Sequence, residues 1–287
     1  MSVDWQIGFR VKGLISPIEG SVYNDYILIK GISPIDDSYV FFKVKLDENE
    51  DKDHVREKLV NSLRNITQIY SLITNHYTEV LRSSVTARIS VENPFGNTKY
   101  PPDTLGEFIA VPTDEQRNEN TALLNKTFEK YKIVEKIGRM RKKQFLMNAI
   151  DYYNRALGDI RQEEKLIDFM ICLESLFSDE QGELRLRYSL RLSRFLGAKQ
   201  ESETSKIFRR TYDLYQKRSK VVHGTESIKL DDGEIWALQV NLRDVIKCFL
   251  HIDLSKKKIL EMLDESVYDD DRKRELKKVV LEASGKW

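Results

Sequence analysis

Near the start of the chain, apolar and polar residues alternate with a period of two. Ile7, Phe9 and Val11 alternate with Gly8, Arg10 and Lys12, and Phe42, Val44 and Leu46 alternate with Lys43 and Lys45. Between them residues 26–32 form an almost continuous apolar run that ends at Ser33-Pro34. These patterns predict strands. The period then lengthens: Val55, Leu59, Leu63, Ile66, Ile73 and Tyr77 recur at helical spacing and predict one long helix over residues 53–82. Val85, Ala87, Ile89 and Val91 return to strict alternation. A small sheet packed against one long helix is the expectation for this part.

Residues 92–115 hold Asn93-Pro94, Gly96-Asn97, Pro101-Pro102, Gly106 and Pro112, the richest turn region of the chain and the expected domain border. Everything after it reads as helix. Leu123, Leu124, Phe128, Tyr131, Ile133, Val134 and Ile137 lead to an expected stop at Gly138. Phe145, Leu146, Ala149, Ile150, Tyr153 and Leu157 lead to another at Gly158. Residues 161–178 are apolar on most sides, which predicts a central helix. Further helices are expected at 183–197, 201–223, 231–251, 255–264 and 271–283. The fold class predicted is therefore α+β, with an N-terminal sheet domain over residues 1–116, in a sensor or partner-binding role, and a helical bundle over residues 117–287.

Composition adds little to this division, but charge does. The chain of 287 residues is 40% hydrophobic and 32% charged, which suits a soluble, helix-rich protein. No run of about 18 apolar residues occurs, nor a charged start followed by an apolar segment, so no membrane span is expected and the location expected is cytoplasmic. Residues 1–116 carry 12 Lys/Arg against 17 Asp/Glu, and the remainder 35 against 29, so a net charge of +1 hides an acidic first part and a basic second part. That imbalance is compatible with RNA but falls short of a dedicated nucleic-acid binder. Cys172 and Cys248 both fall in apolar helical runs, where reduced core thiols are expected.

Candidate chemistry concentrates in residues 215–224, Tyr215-Gln216-Lys217-Arg218-Ser219-Lys220-Val221-Val222-His223-Gly224. Ile207, Phe208, Thr211, Leu214, Tyr215, Val221 and Val222 share one side of a helix that Gly224 would end as a left-handed cap. Arg218 falls in the middle of that apolar side. A guanidinium cannot shed its charge, so it must be paired there or meet an anion. Glu174, set among Ile167, Met170, Ile171 and Phe177 on the central helix, needs a cation in turn, and Arg218 or Arg191 is the expected partner. His223 ends the helix, where the dipole favours a cation. An anion-binding arginine with a titratable histidine suits phosphodiester chemistry. A core arginine paired with an acid, beside a histidine bonded to a carbonyl, is the plainer reading of the same residues. Arg187, Arg191 and Arg194 form a basic stripe at i, i+4 and i+7, the usual pattern of a solvated face, and Arg187, Arg191 and Lys220 are the candidate RNA contacts.

Three blocks, Cys172-Leu173-Glu174-Ser175-Leu176-Phe177, Tyr188-Ser189-Leu190-Arg191-Leu192-Ser193 and residues 214–224, resemble in order and spacing the ApeA-like branch of the HEPN superfamily. The resemblance spans roughly residues 145–255. It implies an all-α bundle and a metal-independent ribonuclease acting as a homodimer, with two Arg-x4-His motifs meeting at one cleft. The motif's arginine maps onto Arg218 and its histidine onto His223. The residue after the arginine, commonly Asn, Asp or His in that family, is Ser219 here.

No phosphate-binding GxxxxGK[ST] or GxGxxG, no HExxH, no paired CxxC and no GxSxG occurs in the sequence. His54, His76 and His251 lack ligand-like neighbours at metal spacing. No cofactor and no DNA partner are expected. Two functions follow. The first, implied by the resemblance, is an endoribonuclease in which the substrate's 2′-OH attacks and a 2′,3′-cyclic phosphate is left, on a target such as tRNA and in a defence or toxin-like role. The second is a non-catalytic module that binds a nucleotide, RNA or protein, which Ser219 and the near-neutral charge favour.

Overall fold

The computed structural model describes residues 2–12, 20–22, 27–31, 37–47, 79–88, 132–178, 184–224 and 230–286, together with helical residues within 57–72. The chain divides into two units, Met1–Ile137 and Gly138–Trp287. The border expected from the turn-rich residues, between 116 and 117, lies outside the described residues.

The α+β class expected from the sequence is corrected here. Every residue whose side chain is described and which belongs to regular structure is helical, and none lies in a strand. Ser2–Lys12, Gly20–Val22, Ile27–Gly31, Asp37–Asp47 and Glu79–Arg88 have extended backbones in antiparallel register. No side chain of theirs is described, so no buried face and no apolar layer supports a β-sheet domain. The physical reason is that alternation signals extended backbone locally, whereas a domain needs one face of that backbone covered. The long helix expected over residues 53–82 is likewise described only at scattered residues within 57–72.

From residue 133 the helices are α1 (Ile133–Arg141), α2 (Gln144–Gly158), α3 (Gln162–Phe177), α4 (Leu184–Gly197), α5 (Thr204–His223), α6 (Asp232–His251), α7 (Lys256–Glu265) and α8 (Asp270–Ser284). A 3-10 turn, Glu201–Glu203, leads into α5. Most boundaries follow local chemistry. Asp231, Ser255 and Asp269 cap α6, α7 and α8 by accepting backbone N–H groups of Glu234, Lys258 and Asp271. Gly158 ends α2 as its pattern predicts, but α1 runs through Gly138 to Arg141. One helical glycine costs only about 1 kcal/mol, and fully buried Met140 two residues later offsets it.

α3 is central, packing on α2, α4, α5 and α6. Leu166, Phe169, Met170, Cys172, Leu173, Leu176 and Phe177 on it have no exposed surface. Phe177 meets Phe195 of α4 and Phe249 of α6 at ring centroid distances of 6.1 and 5.8 Å, and Phe195 stacks on Phe249 at 5.3 Å. This aromatic node joins α3, α4 and α6. Cys172 and Cys248 are both free and buried, in line with the expectation of core thiols. Among the described residues no helix is long and apolar enough to cross a membrane.

Candidate functional site around Arg218

α5 carries the candidate residues on its last turns. Ile207, Thr211 and Leu214 are its buried positions and seat it on the bundle. The Thr211 hydroxyl donates to the Ile207 carbonyl at 2.8 Å, so it is satisfied within the helix. Gly224 follows His223 at φ 63°, ψ 23°, the left-handed cap predicted, and its N–H reaches the carbonyls of Lys220 and Val221. A side chain at that φ would be strained, so the chain turns at this glycine and places His223 at the helix end.

Arg218 sits at the rim of the buried face, with its side chain and that of Glu174 each 25% exposed. Its Nη2 lies 3.9 Å from Glu174 Oε1, a long ion pair rather than a hydrogen bond. The sequence expects this partner for Arg218, and the structure places the two together across α3 and α5. It also adds a third member. The Tyr215 hydroxyl donates to the same Glu174 oxygen at 3.0 Å, and the Arg218 guanidinium carbon lies 5.9 Å from the centre of the Tyr215 ring. Tyr215 in turn packs on Tyr188 of α4, with ring centres 5.9 Å apart. Burial, then the neighbouring Glu174 carboxylate, pushes the Tyr215 phenol up to about 12, so it stays protonated and keeps donating at neutral pH.

The result is a guanidinium held on one side by a carboxylate that is itself fixed by a phenol. Arg218 Nε has no accessible surface and no hydrogen-bond partner among the described residues. Tyr215→Phe keeps the ring against Tyr188 but removes the hydroxyl, leaving Glu174 short of one donor. The loss expected is about 1–2 kcal/mol of stability, read by thermal denaturation. A variant as stable as the native chain would show that the Tyr215–Glu174 bond carries nothing. Glu174→Gln should lower stability and any activity together, because it loosens Arg218 as well.

The other predicted positions separate. His223 and Lys220 are exposed, and Ser219 is half-buried. Among the described residues the His223 side chain makes no hydrogen bond or ion pair, and nothing joins it to the Arg218 side chain. Five residues apart on a helix, the two side chains diverge by about 140°. Val222, expected on the apolar side, is 51% exposed. Arg187 is half-buried.

Arg191 requires a correction as an RNA contact. It has no exposed surface at all. Its Nε and Nη2 donate to both carboxylate oxygens of Asp264, at 2.8 and 2.6 Å, and its Nη1 donates to the Phe177 carbonyl at 2.5 Å. All of this fork is used inside the bundle, so Arg191 ties α4 to α7 and to the end of α3. It is likewise not the partner of Glu174.

Sequence reasoning missed Tyr215 as a polar member of the site because its ring satisfies the apolar pattern of α5. The available signal is its position three residues before Arg218, on the same helical face. No protein-family model, curated protein or solved structure matches the chain.

Proposed function

We propose that the helical part of this chain is a metal-independent endoribonuclease of HEPN type. The observation that supports it is the state of Arg218: turned by the Glu174 carboxylate at 3.9 Å, yet still one quarter exposed. A guanidinium so held is oriented before substrate arrives and remains reachable by phosphate oxygens, whose developing charge it would stabilise. His223, exposed at the end of the same helix, supplies the titratable group.

In the reaction the RNA's 2′-oxygen attacks its own adjacent phosphorus. The O2′–P bond forms as the P–O5′ bond breaks, one proton leaves the 2′-hydroxyl and one reaches the departing 5′-oxygen. His223 carries one of these protons. The divergence of Arg218 and His223 makes one helix a poor site alone, so two copies facing each other complete it. RNA, with tRNA a natural first substrate, and a homodimer are the partners in this reading.

The test is incubation of the full chain with a tRNA pool, with and without EDTA, beside Arg218→Ala and His223→Ala. Cleavage that persists in EDTA, leaves 2′,3′-cyclic ends and disappears in both variants is the expected result. Absence of cleavage under every condition would count for the non-catalytic module, which Ser219 favours. There, His223→Ala would have no activity to remove, and Arg218 would serve only to bind an anion or to hold α5 on α3.

A further inference from the structure

The ribonuclease reading leaves open what holds the RNA beside the scissile phosphate, and the packed pair α4 and α5 bears on it. Along α5 Phe208, Tyr212, Ser219 and His223 fall within about 60° of one another at 100° per residue, so they share one strip of the helix. At its upper end the Phe208 and Tyr212 rings stack, 5.9 Å apart and 24° from parallel. Arg185, at the start of α4, lays its guanidinium over Tyr212 with its carbon 4.1 Å from the ring centre, and its Nη2 donates to the Tyr212 hydroxyl at 2.5 Å.

These three groups are not core. Phe169, Phe177, Phe195 and Phe249 are wholly buried, whereas Arg185, Phe208 and Tyr212 all keep exposed surface. Further along, Tyr188 and Tyr215 pair across the same two helices, and Arg218 follows Tyr215. Tyr188 is buried, so the planar groups that keep exposed surface at this end are Arg185, Tyr212 and Phe208. The aliphatic residues Leu184 and Leu186 beside them are 42% and 46% exposed.

A surface stack of this composition recognises the face of an unpaired nucleobase. Aromatic rings and arginine planes extend a base stack without reading its sequence. A duplex keeps its base faces covered and offers only its edges, 2′-hydroxyls and phosphates. The rise of about 1.5 Å per residue puts Tyr212 about 16 Å along the helix from His223, a span of a few nucleotides of single strand. We infer that a base of the RNA a few nucleotides from the scissile phosphate stacks on the Arg185–Tyr212–Phe208 group. This rests on the ribonuclease reading and adds a base-stacking subsite to it.

The test uses the full chain carrying His223→Ala, which should bind without cleaving, and a short labelled oligoribonucleotide followed by fluorescence anisotropy. The single strand should bind at least tenfold more tightly than the same strand annealed to its complement. Adding Tyr212→Leu, which keeps apolar volume and removes the ring, should weaken single-strand binding about tenfold, within the range of one stacked base, and leave the duplex unaffected. Tyr212→Phe should bind like its parent, because it retains the ring. Arg185→Gln, at the α4 end of the stack, gives a second reading if Tyr212→Leu fails to fold, with a loss of several-fold expected. Tight single-strand binding that neither Tyr212→Leu nor Arg185→Gln alters would overturn the stacking site and leave the ribonuclease reading standing. A native chain that neither binds nor cleaves any RNA would sink both.

Discussion

Asp264→Ala should lower the stability of the helical unit by about 2–4 kcal/mol, more than any single change at Arg218 or Glu174. The reason is Arg191, which has no exposed surface and cannot lose its charge. Its compensation is the bidentate contact with Asp264 at 2.8 and 2.6 Å and the Phe177 carbonyl at 2.5 Å. Removing one member of a fully buried pair costs about 3–5 kcal/mol because the other charge is stranded. Asp264 is itself 45% exposed, so solvent screens part of the pair and the figure is reduced accordingly. The two halves should not be equivalent. Arg191→Met leaves behind a carboxylate that water can reach, and should cost about half as much; Asp264→Ala leaves a guanidinium that water cannot reach. For a unit of this size the larger change lowers the melting temperature by about 10 °C, seen in far-UV circular dichroism of the full chain. Combining Arg191→Met with Asp264→Leu should recover most of the loss. The reverse order of the two single variants would refute the burial argument.

That same residue shows where sequence reading stops. Read as i, i+4 and i+7, Arg187, Arg191 and Arg194 look like one solvated stripe. On the helical wheel Arg191 lies within about 60° of Leu184, Tyr188 and Phe195, so stripe and apolar face overlap at that position. Periodicity marks a face but does not say which of two adjacent faces a boundary residue joins. The deciding fact is a carboxylate 73 residues later, on a helix whose contact with α4 no local pattern announces. The helices themselves were legible, because each buries a stripe spaced at 3.6 residues and three of them begin at a capping Asp or Ser. The end of α5 was legible for the same reason, since a glycine after the last periodic residue can take the left-handed cap.

The N-terminal reading fails for a different cause. Alternation at Ile7, Phe9 and Val11 is a short-range signal, and a sheet domain is a statement about what covers those side chains. At the candidate site the pairing of Glu174 with Arg218 could be anticipated because both are charges in apolar settings, and such charges seek each other. Tyr215 could not be anticipated in this way. A tyrosine satisfies an apolar pattern whatever its hydroxyl does, so its bond to Glu174 is visible only once α3 and α5 are placed side by side.

Mixing two inactive variants should restore activity if the site is shared between copies. On the proposed ribonuclease function, Arg218→Ala and His223→Ala should each lower RNA cleavage about 100-fold or more, since one would remove stabilisation of phosphate charge and the other a proton carrier. Their side chains diverge by about 140° on α5, so each site of a dimer would draw Arg218 from one copy and His223 from the other. A mixed dimer then has one site lacking both groups and one site complete. With random exchange of subunits half the dimers are mixed, so an equal mixture should recover about a quarter of the native rate, all else being equal. Separate sites within each copy give the opposite outcome, because every subunit in the mixture lacks one of its two groups and activity stays at the background of the single variants. The mixture must be unfolded and refolded together, or incubated long enough to exchange, and compared with each variant treated alike. Recovery on mixing also separates chemistry from folding, since a subunit too damaged to fold cannot donate its remaining group. A mixture no more active than its parts, with exchange verified by a tagged copy, would end the shared-site proposal.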